Sequence, residues 1–193
     1  AGIDSLLELV DSLSQCLVDP ARRLDVAAAA VWARGQRFSL NELETDRRGP
    51  ILWCRLAAEA LETTPLRNSP PAPGEAAAYA ARLSRLPRLL ENAVRRIGAP
   101  PPAHVELALE RLDALIAGLD MLAARCEARW GDEAPDIETS RDVLLRFRRF
   151  IDGPLRERAH GSLIIGSENL ARVLRYDEGL HICLLYTSDA ADE

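Results

Sequence analysis

At 193 residues the chain is long enough for one domain with a full hydrophobic core, and its 48% apolar and 28% charged residues are ordinary for a folded protein. Aromatics make up only 5%, which leaves the core to Leu, Ala, Val and Ile. A formal charge of −6 argues against a general nucleic-acid binder, and no apolar run approaches the ~20 residues of a membrane span.

The first helix is expected over 4–17, with Asp4 as its cap and Leu6, Leu9, Val10, Leu13 and Leu17 on one stripe. Asp19-Pro20 starts a second, because a capping Asp followed by Pro suits a first turn; Gly35 should end it. Ser39-Leu-Asn-Glu42 reads as a capping box opening a third helix, which Gly49-Pro50 interrupts. Residues 51–62 are helical again, and 63–75 form the longest loop, dense in Pro and Ser. A long helix over 75–97 should kink at Pro87, and the longest helix is expected over 102–129. "WGDEAPD" is a loop, 138–159 is a helix bent at Gly153-Pro154, and 167–176 is a short helix. No strand signal survives and no segment repeats at a fixed period, so the fold class is all-α, an antiparallel helical bundle rather than a solenoid.

Chemistry is sparse. His104, His160 and His181 show no metal-ligand spacing; Glu178 and His181 stand at i, i+3, but a di-iron bundle needs two such pairs and two more carboxylates. "GSLIIGSE", residues 161–168, mimics the glycine spacing of a phosphate loop, yet Ser167 and Glu168 follow where that loop requires Lys. Gly166 is better read as a backbone turn and Ser167 as a helix cap. The most basic stretch, 141–158, should bury Leu144, Leu145, Phe147, Ile151 and Leu155 and leave Arg146, Arg148 and Arg149 on a solvated, ion-paired face. Cys16, Cys54, Cys126 and Cys183 are scattered, as small buried hydrophobes in a reducing compartment are, which favours a cytoplasmic setting. All 24 basic residues are Arg, a pattern that folding does not demand and that reads as the codon usage of a GC-rich genome. No catalytic, cofactor-binding or metal-ligating residue is assigned.

The segment "AAYAARLSRLPRLLENAVRRIGAPPPAHVELALERLDAL" resembles the bacterial family known as domain of unknown function 885. Its Y-x-x-RL-x-x-x-P-x-x-L pattern is matched by Tyr79, Arg82, Leu83, Pro87 and Leu90. Gly166, Glu168, Leu170 and Leu174 fit the family's G-x-E-x-(hydrophobic)-x-x-x-L element, and Asp46 and Leu52 roughly suit its early helix. The likeness spans about residues 40–182, with the loop 63–75 shorter than usual. It implies a mostly helical zinc peptidase of the oligopeptidase type, with a His-Glu-x-x-Pro-Gly-His motif and a further carboxylate ligand. None of those ligands is carried over to this chain, because the motif lies C-terminal to the matched region. The resemblance makes residues 1–182 a single helical N-terminal domain, itself inactive and holding no cofactor, of a parent expected to bind zinc and a peptide substrate. Its implied partner is the C-terminal half of the same chain, with neither nucleic acid nor a membrane span involved. The alternative is a non-catalytic helical protein-interaction module.

The ending, "CLLYTSDAADE" at 183–193, breaks the composition of the rest. It resembles one reading frame of a transposon adapter used in sequencing libraries, which would make Ile182 the last natural residue and 183–193 an artefactual tail. Without Asp189, Asp192 and Glu193 the formal charge would be −3 rather than −6.

Overall fold

The computed structural model describes residues 2–16, 19–65 and 69–177. Helix dominates and there is no strand among the described residues, so the protein is all-α. The helices are α1 (Gly2–Cys16), α2 (Pro20–Asn41), α3 (Thr45–Arg48), α4 (Ile51–Glu62), α5 (Glu75–Leu83), α6 (Leu86–Arg96), α7 (Pro102–Ala117), α8 (Leu119–Trp130), α9 (Glu138–Phe150) and α10 (Ser167–Asp177). The described residues group into two compact units: those up to Thr45 with those of Leu163–Asp177, and those of Asp46–Ser162.

In the first unit α1 and α10 both pack on α2. Asp19 caps α2 as expected, its carboxylate accepting from the Ala21 N–H (3.1 Å) ahead of Pro20 in the first turn. Two expectations fail. Gly35 does not end α2 but lies buried inside it, and the helix runs on to Asn41. A helical Gly costs about 1 kcal/mol against Ala, which strong helix formers and tertiary packing override here. The Ser39 box opens nothing. Its hydroxyl pairs with Thr45 Oγ1 (2.9 Å), and the Thr45 hydroxyl also donates to the Ser39 carbonyl (3.0 Å). The chain leaves α2 through Glu44, whose left-handed φ of 48° does the work expected of Gly35. On α1 the stripe is shifted: Leu7 and Val10 are buried, whereas Leu9 and Leu13 are exposed; Leu17 lies outside the described residues. Arg172 on α10 sits 4.0 Å over the Phe38 ring and forms a bidentate pair with Glu42, while Tyr176 packs on Phe38 with centroids 5.6 Å apart.

In the second unit α4, α6, α9 and α7 touch in a closed cycle, each packing on the next and α7 returning to α4. Their inward faces supply a continuous core that includes Leu61, Leu86, Leu90, Val105, Leu112, Leu144, Ile151 and Leu155. The expected helix 75–97 is broken outright at residues 84–85. Pro87 cannot donate an N–H and so opens the first turn of α6 instead of kinking a longer helix. The expected helix 102–129 likewise divides at Gly118 into α7 and α8. Pro154 is absorbed by a π-helical turn, Ile151–Leu155, which widens the register where the proline ring would otherwise meet the preceding carbonyl. Leu145, expected in the buried stripe of this helix, is instead exposed, and Val143 takes its place.

Three connections of this unit are sewn together. The Gly98 N–H donates to the Arg47 carbonyl (2.9 Å), the Gly161 N–H to the Pro100 carbonyl (3.0 Å), and the Arg158 guanidinium to the Ile97 carbonyl (3.1 Å). Arg96 pairs with the buried Asp46, whose carbonyl accepts from the Trp53 indole (2.9 Å). A Cβ on Gly161 would stand 2.2 Å from the Ala99 carbonyl oxygen, while one on Gly153 would meet nothing within 4 Å. Gly161→Ala is therefore expected to destabilise by roughly 2–3 kcal/mol through overpacking against backbone. Gly153→Ala should stabilise by about 0.5–1 kcal/mol by restricting the unfolded chain. Urea unfolding of both variants checks the pair, and equal midpoints would contradict the close approach at Gly161.

Candidate functional site

Among the described residues no group of three or more His, Cys, Asp and Glu could hold a metal ion, and no helix is long and apolar enough to cross a membrane. His104 stands at the start of α7, its Nδ1 2.9 Å from where a Gly49 Cβ would be, and His160 is exposed in the loop after the π turn. Glu178, His181, Cys183 and the tail lie outside the described residues. Gly166 takes φ +83°, the turn expected of it, and its carbonyl accepts from the Leu170 N–H (3.0 Å); Ser167, expected as the cap, is instead the first residue of α10.

Each residue of the Y-x-x-RL-x-x-x-P-x-x-L pattern has a local physical role. The Tyr79 hydroxyl, fully enclosed, donates to the Leu61 carbonyl near the C-terminal end of α4 (2.7 Å). Arg82 donates to the hydroxyls of Thr63 (2.8 Å) and Thr64 (3.1 Å) just beyond that end. Leu83 and Leu90 are core residues, and Pro87 starts α6. The pattern thus fastens α5 and α6 to the end of α4. Arg129 completes the arrangement from α8: it forks onto Glu75 (2.8 and 3.1 Å) and donates to the Ser69 carbonyl (2.8 Å), so it holds the far end of the Pro-rich loop.

Cys54 and Cys126 are small core residues as expected, whereas Cys16, expected to be buried as well, is on the surface. Burial pushes the Cys54 thiol up to about 12, its sulfur lying 3.9 Å from the Ala108 carbonyl. Burial also raises Cys126 and the Tyr79 phenol beside it.

What the second unit does offer is an open groove between α6 and α9, about 340 Å³, lined by Pro87, Leu90, Glu91 and Val94 on one side and Val143, Arg146 and Phe147 on the other. A neighbouring depression of about 480 Å³ shares Pro87 and extends over Leu83, Pro135 and Ser140. The basic stretch of α9 borders this groove, and it divides in an unexpected way. Arg148 and Arg156 are ion-paired with Asp113 and Glu106 of α7, and Arg141 with Asp120 of α8; among the described residues Arg146, which lines the groove with Glu91, and Arg149 form no ion pair. Hydrogen bonding from Arg148 holds the Asp113 carboxyl below its usual range. No protein-family model, curated protein or solved structure matches the chain.

The raised thiols predict a pH effect. Cys54 folds protonated, so its contribution is fully present below the unfolded thiol value of ~8.5 and is lost as pH climbs from there to about 12. Unfolding free energy should fall by roughly 2 kcal/mol between pH 7 and pH 10, and Cys54→Ala should remove much of that decline. In the native protein at pH 8, alkylation mapped by mass spectrometry should modify Cys16 and spare Cys54 and Cys126; rapid labelling of Cys54 would contradict its burial.

Proposed function

We propose that this chain is the helical, non-catalytic N-terminal portion of a zinc-dependent peptidase-like hydrolase of the domain of unknown function 885 type. The observation that carries the reading is the fit of Tyr79, Arg82, Leu83, Pro87 and Leu90 to that family's pattern, in which every residue does a distinct structural job. A pattern maintained for architecture has this character. Further support comes from the first unit, where Leu9, Leu13, Leu24, Val31, Trp32 and Leu40 leave large apolar side chains exposed, Trp32 by 57%. Faces of that kind suit a chain that continues into further packed helices.

On this reading the piece walls or covers a substrate channel, and the residues that activate water belong to the other half. The zinc would polarise a bound water and the motif Glu would take its proton. This chain's helices would supply shape and enclosure.

The test is the DNA across the codon for Ile182, read with long reads from untagged template. The expected result is an open frame that runs on into His-Glu-x-x-Pro-Gly-His. Its product should bind zinc and cleave peptides, while the 193-residue chain does neither. A stop codon immediately after Ile182 would sink the hydrolase reading and leave a helical interaction module.

A further inference from the structure

The second unit holds two proline clusters between helices, and the fold treats them differently. Pro100 and Pro101 are buried, and their carbonyls accept from the Gly161 and His104 N–H groups (both 3.0 Å). Pro70, Pro71 and Pro73 are exposed, as are Ser69, Ala72 and Gly74 around them. Among the described residues no backbone N–H donates to the Pro70 or Pro71 carbonyl. One cluster closes the helical core. The other presents its rings and its acceptors to the outside.

The exposed cluster has little backbone freedom. Each proline ring fixes its own φ, and a residue that precedes proline is pushed out of the α region. Ser69, Pro70 and Ala72 all precede proline, so φ or ψ of every residue from 69 to 73 is held toward polyproline II values. Both ends are then pinned. Arg129, whose side chain is 8% exposed, donates to the Ser69 carbonyl (2.8 Å) and forks onto Glu75. Glu75 accepts from the Ala72 N–H (3.3 Å), and its own N–H donates to the Ala72 carbonyl (3.0 Å). That last bond closes a type II turn, with Pro73 first and Gly74, at φ 73° and ψ 6°, second of its two central residues. The buried ion pair thus holds the proline segment as a fixed, outward-facing strap.

A polyproline II helix repeats every three residues, which puts Pro70 and Pro73 on one edge, ~9 Å apart. This is the P-x-x-P arrangement that docks into aromatic-lined grooves, where a segment ordered in advance loses little entropy on binding. The bare Pro70 and Pro71 carbonyls can accept from Trp and Tyr donors of such a groove. Residues 69–74 carry no charge, so neither a polyanion nor a charged membrane surface finds a handle there. We propose that Ser69–Pro73 is a pre-organised polyproline II ligand, held by the Arg129–Glu75 pair, for the aromatic-lined groove of a partner domain of the SH3 or WW kind. Pro70 and Pro73 enter the groove, and Ser69 and Ala72 flank them. The inference does not depend on the peptidase reading and stands or fails separately from it.

The experiment passes an array of purified SH3 and WW domains over the immobilised 193-residue chain, with a capped synthetic peptide of the 69–74 sequence as comparison. At least one domain should bind the chain. The double variant Pro70→Ala/Pro73→Ala should weaken that binding about tenfold or more, and so should replacing the groove tryptophan of the bound domain by Ala. Both prolines are exposed, so the circular dichroism of the variant should match the parent's. The free peptide should bind about tenfold more weakly than the chain, because it must be ordered first. Silence across the array, a double variant that binds as well as the parent, or a peptide that binds as tightly as the chain would each overturn the proposal. Binding that survives loss of the groove tryptophan would do the same, by placing the contact elsewhere. Self-association of the chain abolished by the double variant would also overturn it, by making a second copy the occupant.

Discussion

The second unit depends on how one proline-rich connection, residues 97–101, is satisfied. Pro100 and Pro101 are buried, and neither has a backbone donor. Buried carbonyls in such a segment must find donors elsewhere. Pro100 takes the N–H of Gly161, Ile97 takes the Arg158 guanidinium, and Pro101 takes the N–H at the start of α7 from His104. The Gly98 N–H in turn goes to the Arg47 carbonyl in α3. A single junction therefore ties the entry to α4, the passage from α6 to α7, and the chain leaving the π turn. These are ends of the four helices that form the closed cycle, so the junction sets where each helix begins relative to the others.

That closure explains the rest of the polar arrangement. With the ends set, α7 lies within reach of α9 and its continuation, and Asp113 and Glu106 meet Arg148 and Arg156. α8 brings Asp120 to Arg141. Arg129 reaches back to Glu75 and Ser69 and closes the long loop from its far side.

The general architecture was legible from apolar spacing and proline position. Asp19-Pro20, Pro50, Pro154 and Gly166 all mark boundaries, bends or turns where local chemistry says they should. The misreadings have one cause: a local stop signal was weighed without its tertiary setting. Gly35 looks like a helix end but is buried inside α2, and Ser39 looks like a cap until Thr45 occupies its hydroxyl. Glu44, with no sequence signature of a left-handed residue, ends the helix instead. Pro87 and Gly118 err in the opposite direction, each dividing a helix whose apolar period runs straight through it. Period reports which face is buried, and it is silent on whether the backbone beneath is continuous.

The candidate groove was less legible, for a physical reason. The stretch 141–158 reads as a basic face balanced by carboxylates, and for Arg141, Arg148 and Arg156 that reading is correct. Their principal partners, however, are 21, 35 and 50 residues away in sequence. No local window can separate them from Arg146 and Arg149, which sit on the same helix with the same neighbours. Whether an arginine of this helix is ion-paired is decided by which helix lies opposite it. That is a property of the closed cycle, and so the pairing becomes readable only once the junction that closes the cycle is known.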